Sequence, residues 1–371
     1  MKTLPTLCLL FVTTFSRAAL SQECTSRWDT YFDTNPLHQK VLSGDTNAGY
    51  AVFAFWADPS RRFELKGRFP YARFMSLESY KSKLQLKSGA IFDEQITPDE
   101  GSQNPFREGA ALGATDRAYT INVVPSGLAE NFPNALELPD SSGTQVLMLR
   151  IYSPHDGVTL TNGDLPRIYA YDSSSNNPTS CPASGSIPVV WHFPQFIASI
   201  VSYFMPFEFK TGTVPVGVNA AIPKYVYAIT KLSKGDVVSI RFRAPRFVQT
   251  ASGVGTFRRE DTDVRYWSFC TQNFNNNIAL NCVPDHLSHP DANGMVHVVV
   301  GGNAETEALT RSLGYDYLPD ARGPRQDVMG FAYRNIFPND RFKNESMYQG
   351  IYNPEGKVCR NNDFVNGACA W

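Results

Sequence analysis

Two segments of this 371-residue chain gather side chains that could do chemistry. The first is Trp191-His192-Phe193-Pro194, which continues through Phe196, Tyr203, Phe204, Phe207 and Phe209. Imidazole changes charge near neutral pH, so His192 is the natural acid or base of any pocket these rings enclose. A segment this apolar must be covered, either by the rest of the protein or by a ligand. Its ordinary reading is a core stretch joining two halves of the chain, because large apolar side chains are most often core. Its functional reading is a pocket wall built from Trp191, Phe193, Tyr203 and Phe207. The second segment is Asp285-His286-Leu287-Ser288-His289-Pro290-Asp291. Imidazole and carboxylate are both competent metal ligands. Pro284 and Pro290 nevertheless make this an irregular loop, no third ligand motif accompanies it, and no metal is expected.

Arginine supplies the remaining candidates. Arg73 and Arg265 lie in similar strand-like patterns, each followed by an aromatic residue, Phe74 or Tyr266, on the opposite face. Each arginine could brace carboxylates inside the fold or hold an anionic or carbonyl oxygen of a ligand. In the functional reading, Arg265 and Tyr266 are oxygen-binding donors beside His192. Tyr333 and Arg334 are a further polar-aromatic pair that could line the same pocket. Absent motifs narrow the chemistry. The chain has no GxSxG elbow, no HExxH and no Gly-rich phosphate loop after a strand. No cofactor is therefore expected. A glycosidase needs two carboxylates across a cleft; Glu94, Asp99, Glu100, Asp261 and Asp263 are available, but no spacing marks a pair.

The elements that must position these residues read as β. Short runs rich in β-branched and aromatic residues recur at 50–56, 145–152, 167–171, 224–229, 237–242, 265–270 and 295–300, between turns drawn from 26 Gly and 25 Pro. Helical periodicity is confined to 305–313 and an apolar stretch at 195–204. A faint internal repeat runs through the strands: Ala72-Arg73-Phe74-Met75-Ser76-Leu77 is mirrored by Val264-Arg265-Tyr266-Trp267-Ser268-Phe269. Each copy follows an Arg-containing run ending in Pro (65–70; 240–245) and precedes a Pro-Asp corner, Pro98-Asp99 or Pro284-Asp285. The expectation is an all-β fold of two related sandwich, jelly-roll-like or barrel units with few short helices. Its divisions are a signal peptide at 1–21, a first unit at 22–172, a connector at 173–186, a second unit at 187–304 and a C-terminal wrap at 305–371.

Lys2, an apolar run over 4–15 and Ala19-Leu20-Ser21 read as a secretory signal. That run is too short to span a membrane, which takes about 20 residues. Beyond it lie six cysteines, Cys24, Cys181, Cys270, Cys282, Cys359 and Cys369. An even number in an oxidising compartment implies disulfides. Local spacing favours Cys270 with Cys282 and Cys359 with Cys369, leaving Cys24 for Cys181, although six cysteines allow 15 pairings. Asn344-Glu345-Ser346 is a glycosylation sequon. With 34 basic and 35 acidic residues in no block, the chain offers no concentrated basic surface for nucleic acid.

The signal, the six cysteines, the Arg-Phe/Tyr-x-Ser repeat and Tyr333-Arg334-Asn335-Ile336-Phe337-Pro338 together resemble a group of secreted fungal and bacterial proteins of unassigned function. Among the fungal ones, the chain is similar to the hetero-Diels–Alderases of tropolone–sesquiterpenoid pathways. That resemblance implies a secretory-pathway protein that binds apolar small molecules and promotes a cofactor-free cyclisation. Such a reaction needs an apolar cavity that orients two reactants and a few polar donors. A secreted carbohydrate-active hydrolase or binding protein, and a non-catalytic carrier of hydrophobic ligands, are the alternatives from other classes.

Overall fold

The computed structural model describes residues 23–24, 28–30, 44–81, 89–138, 143–155, 160, 165–185, 207–211, 223–273, 278–323, 326–369 and 371. Nine strands form the first unit: β1 (Asp29–Thr30), β2 (Ala48–Trp56), β3 (Arg61–Arg68), β4 (Phe74–Lys81), β5 (Ala90–Phe92), β6 (Ala118–Val124), β7 (Ala135–Glu137), β8 (Thr144–Tyr152) and β9 (Arg167–Asp172). The second unit holds β10 (Lys210–Thr211), β11 (Pro223–Lys231), β12 (Val237–Arg243), β13 (Val264–Asn273), β14 (Ile278–Pro284), β15 (Met295–Gly301), β16 (Asp316–Leu318), β17 (Val328–Pro338) and β18 (Glu355–Cys359). It also carries helices α1 (Ala304–Ser312), α2 (Asp340–Glu345) and α3 (Asn361–Val365).

The repeat seen in the sequence is a repeat of topology. The first unit stacks a sheet ordered β1-β2-β8-β4-β5 on one ordered β7-β6-β3-β9. The second stacks β10-β11-β17-β13-β14 on β16-β15-β12-β18. Every strand of the first unit thus has its counterpart nine strands later, including the parallel pairs β6–β7 and β15–β16. Residues 305–371 were expected to wrap over the units. Instead they complete the second one, supplying its central strand β17 and the edge strands β16 and β18. The reason is the duplication itself: β17 must fill the place that β8 fills in the first unit, between β11 and β13. The connector also does more than join. Trp56 and Gly185 exchange backbone bonds with Ala183 and Ala54 along β2.

Period-two alternation divides the side chains of each five-stranded sheet between two cores. On β2, Ala51, Phe53 and Phe55 face the interior of the first sandwich, while Ala48, Tyr50 and Val52 face the second unit. On β4 and β8, Leu77, Leu147 and Leu149 point inward, and Phe74, Tyr80, Met148 and Tyr152 point across. Tyr266 of β13 and Ile336 of β17 join this cross-unit cluster, while their neighbours Trp267 and Tyr333 enter the second unit's own core. The molecule is therefore four sheets deep, with a buried seam between the two middle ones. Disulfides join Cys24 to Cys181, Cys270 to Cys282 and Cys359 to Cys369, the pairing that spacing favoured. No helix among the described residues is long and apolar enough to cross a membrane.

Candidate functional site

The seam carries two kinds of polar structure. One is a crossed pair of ion bridges. Arg73 grips Asp285 with two bonds of 2.9 Å, and Arg265 reaches Asp93 at 3.3 Å, so each arginine holds a carboxylate of the opposite unit. All four side chains are buried. The carboxylates also take the backbone N–H of the strand beside them, Met75 for Asp93 and Trp267 for Asp285. This geometry corrects the corner equivalence read from the sequence. The counterpart of Pro284-Asp285 is Phe92-Asp93, where each Asp begins a single 3-10 turn, and not Pro98-Asp99.

The other is a network around Asp45. Its carboxylate accepts from Ser268 Oγ at 2.5 Å and Tyr266 Oη at 2.9 Å, and lies 2.7 Å from Arg334 Nη1. Burial alone would raise this carboxyl, but Arg334, Ser268 and the Asn47 amide together hold it below the usual carboxylate range. Arg334 has its counterpart in Arg150, since both face the central serine of the repeat, Ser268 or Ser76. Arg150 pairs with Glu78 and also donates to Tyr80 Oη at 2.7 Å. Asp45 with the sulfurs of Cys270 and Cys282 is the grouping of metal-competent side chains found among the described residues. Those sulfurs are bonded to each other, so they are not thiolate ligands.

A cleft of about 340 Å³ lies beside Arg265, at one end of these bridges. The end of β5 contributes Phe92 from the first unit; the turn before β13 contributes Phe257, Arg259 and Thr262, and the end of β17 contributes Phe337 and Pro338. Phe337 has φ of 53°, a left-handed conformation rare for a bulky residue. That turn ends β17 and sends its ring back onto the first unit, 4.6 Å from Phe92 and 6.0 Å from Phe74 between centroids. Asn339 fixes the next step. Its side chain caps α2 through the Phe342 amide at 2.7 Å and donates to the Thr262 carbonyl.

Three cations share the cleft with these rings. Arg259 at the mouth is exposed and pairs with Glu94 of the first unit. Lys343 of α2 is exposed and has no ion pair among the described residues. Arg265 is the floor: its guanidinium lies 4.8 Å from the Phe257 ring and 5.0 Å from the Phe106 ring. Its Nε and Nη1 are buried without a hydrogen-bond partner, held by the ring faces alone. The arrangement can hold an apolar or aromatic body against three phenyl rings and an oxygen-bearing end against arginine and lysine.

Of the residues expected to form a site, Arg265 lies in this cleft. Tyr266 and Arg334 do not join it; they are fully buried in the seam network. Tyr333 points to the opposite face from Arg334, into the second unit's core, because neighbours on a strand alternate. Phe207 packs on that same core, 5.5 Å from Phe331. Trp191, His192, Phe193 and Tyr203 lie outside the described residues. In the His loop, His286 Nδ1 is 3.3 Å from Asp285 Oδ1 and His289 Nδ1 is 2.7 Å from Asp316 Oδ1, so the two imidazoles serve different carboxylates. Sequence reasoning missed Phe92, Phe257, Arg259 and Lys343. They come from three separate segments, and only the pairing of the two units assembles them.

No family model matches the chain, and no curated protein matches it. Among solved structures, it is similar to an uncharacterized protein from Burkholderia cenocepacia. The identity is 12%, the TM-score 0.56, and the match covers 91% of this chain and 82% of that one. A Vibrio parahaemolyticus protein matches with TM-score 0.43 at 12% identity, over 85% of this chain and 90% of that one. The first likeness shows a shared fold and nothing about chemistry.

Proposed function

We propose that this is a small-molecule binding protein of the secretory pathway, and that its seam cleft promotes a cofactor-free cyclisation. The observation that carries this reading is the convergence of Phe92, Phe257 and Phe337 with Arg259 and Arg265 from both units onto one cleft. A hetero-Diels–Alder coupling is the reaction implied by the fungal resemblance, and it asks for what these side chains offer. The rings hold a polyene and an aromatic partner face to face, which can supply about 7–11 kcal/mol of the barrier through orientation alone. The arginines and Lys343 stabilise charge developing on an oxygen as the tropolone alcohol loses water. Three disulfides support a secretory setting. Asn344 is exposed on α2, which supports its use as a glycan acceptor.

The experiment has two readouts. Purified full-length protein is titrated with a tropolone alcohol, then incubated with it and a terpene polyene while the product's stereochemistry is followed. Saturable binding and one dominant stereoisomer are expected, and both should be lost in the Arg259→Gln, Phe337→Ala double variant. Saturable binding with racemic product at an unchanged rate would reduce the protein to a carrier. No saturable binding would remove the cleft as a ligand site.

A further inference from the structure

The second unit has a cavity on its outer face. It measures about 650 Å³ and lies on the outer face of β12 and β15, under α1 and α3. The two helices are tied together by Thr306 Oγ1 and Asn361, and the Cys359–Cys369 disulfide closes the loop that bears α3. In the first unit, the corresponding strands are β3 and β6, and the segment between β6 and β7 forms only a 3-10 turn, Ala129–Asn131. The outward side chains there satisfy one another. Glu64 pairs with Arg62 at 2.9 Å and with Lys66 at 3.0 Å, and Lys66 lies over Tyr169. A duplicated scaffold has thus been altered on one face of one copy.

The lining has two ends. Leu309, Leu313, Met295 and Phe364 form an apolar body. Arg241, Ser239 and Trp371 supply the polar part: the Arg241 guanidinium lies 4.5 Å from the Trp371 ring centroid, and the indole N–H donates to Ser239 Oγ at 2.7 Å. Lys357 of β18, paired with Ser239 across the sheet and outside the lining, also places its ammonium 4.5 Å from that ring. An indole occupied by two cations is not a bare platform for stacking a sugar; it is a fixed positive end. Arg241 pairs with Glu355 at 2.9 Å, but that bridge is exposed, the weak kind that an incoming carboxylate displaces or joins. Asp291 is not a competitor for the cations. It accepts from the Asn293 and Met295 amides and faces His297 Nε2 at 3.8 Å. His297 stacks on Tyr315 at 4.4 Å in the same wall, and its buried Nδ1 has no hydrogen-bond partner. Buried nitrogens of this kind are rare unless something else completes them.

We propose that this cavity binds an amphipathic monocarboxylate, with its alkyl body among the leucines and its carboxylate at Arg241. The site is independent of the seam cleft and stands if the cyclase reading fails. The test is calorimetric titration of the intact protein with decanoate and, separately, with decanol. Decanoate should bind with one-to-one stoichiometry and at least tenfold more tightly than decanol. Leu313→Trp, at a position 51% exposed in the folded chain, should fill the cavity and weaken decanoate at least tenfold without unfolding the protein. Arg241→Gln should weaken decanoate and leave decanol unchanged, and Phe337→Ala in the seam should change neither. Equal affinity for acid and alcohol, no decanoate binding, indifference to Leu313→Trp in a folded variant, or loss on Phe337→Ala would each overturn the proposal.

Discussion

Arg73 and Arg265 stand 192 positions apart, and each donates a guanidinium N–H to the other's backbone carbonyl, at 2.7 Å and 3.2 Å. The same offset carries Asp93 to Asp285 and Met75 to Trp267, so the whole bracket is two-fold: arginine, carboxylate and strand amide in each copy. The two copies are not equal in strength. Arg73 engages Asp285 with both nitrogens, whereas Arg265 makes one longer contact with Asp93 and leaves two nitrogens to aromatic faces. One half of the bracket is a lock; the other forms the floor of a cleft.

The lock should be costly to break. Removing one partner of a buried pair leaves an uncompensated charge, worth about 3–5 kcal/mol. Arg73→Ala is expected to lose that much in urea unfolding, and to split a single transition into two as the units part. Replacing both partners, as Arg73→Met with Asp285→Leu, should recover most of the loss, since a well-packed apolar pair of similar volume can equal a buried bridge. Loss in the double variant as large as in Arg73→Ala would show that the guanidinium's bond to the Arg265 carbonyl matters more than the ion pair.

The weaker half predicts a pH dependence. Burial raises the Asp93 carboxyl to about 6, with Arg265 and the Met75 and Glu94 amides pulling the other way and nearby Glu94 adding to the rise. A carboxyl with a higher pKa in the folded chain takes up a proton on folding. Its charged form is the unfavourable one, so its contribution to stability is fully present near pH 4 and is lost as pH rises through 6. The fall should be on the order of 1–3 kcal/mol, and Asp93→Asn should flatten that part of the profile. Chemical denaturation at pH 4, 5, 6 and 7 reads it directly; a wild-type profile parallel to that of Asp93→Asn would refute the assignment.

The fold class was legible because alternation and turn residues are local signals. The strands expected at 50–56, 145–152 and 237–242 lie within β2, β8 and β12. Duplication was legible too, but only where Arg-aromatic-x-Ser survives. Between β17 and β8 the sequence shares little beyond Arg334 and Arg150, so residues 305–371 read as a wrap. Sites fared worse for the same reason. Arg265 was found because it repeats, whereas Phe92, Phe257 and Lys343 repeat nothing and meet only through tertiary structure. Tyr266 and Arg334 were conspicuous for their types, yet alternation sends them into a sealed seam.

That placement makes a prediction for Tyr266. Its hydroxyl donates to Asp45, beside Ser268 and Arg334. Tyr266→Phe removes one donor from a carboxylate that keeps two others, and should cost roughly 1–2 kcal/mol of stability. Asp45→Ala strands buried Arg334 and should cost about 3–5 kcal/mol. If Tyr266 served the chemistry directly, Tyr266→Phe would abolish product formation while leaving the thermal midpoint unchanged. The structural role requires the reverse, a lower midpoint with turnover retained at permissive temperature.

Phe337 separates the backbone from the ring. A left-handed conformation costs an L-residue roughly 1–2 kcal/mol, and glycine escapes that cost while losing about 0.5–1 kcal/mol in chain entropy. Phe337→Gly and Phe337→Ala both delete the ring that meets Phe74 and Phe92. Both should therefore be less stable than the parent and both should lose at least tenfold in affinity for a tropolone alcohol. The glycine variant, freed of the strained φ of 53°, should nonetheless unfold at higher denaturant than the alanine variant, by up to about 1 kcal/mol. Phe337→Leu keeps an apolar side chain and the same strain, so it should fall between them in stability while restoring part of the binding. Affinity equal to the parent's in all three variants would mean that the ring is packing for the seam and contributes nothing to a ligand.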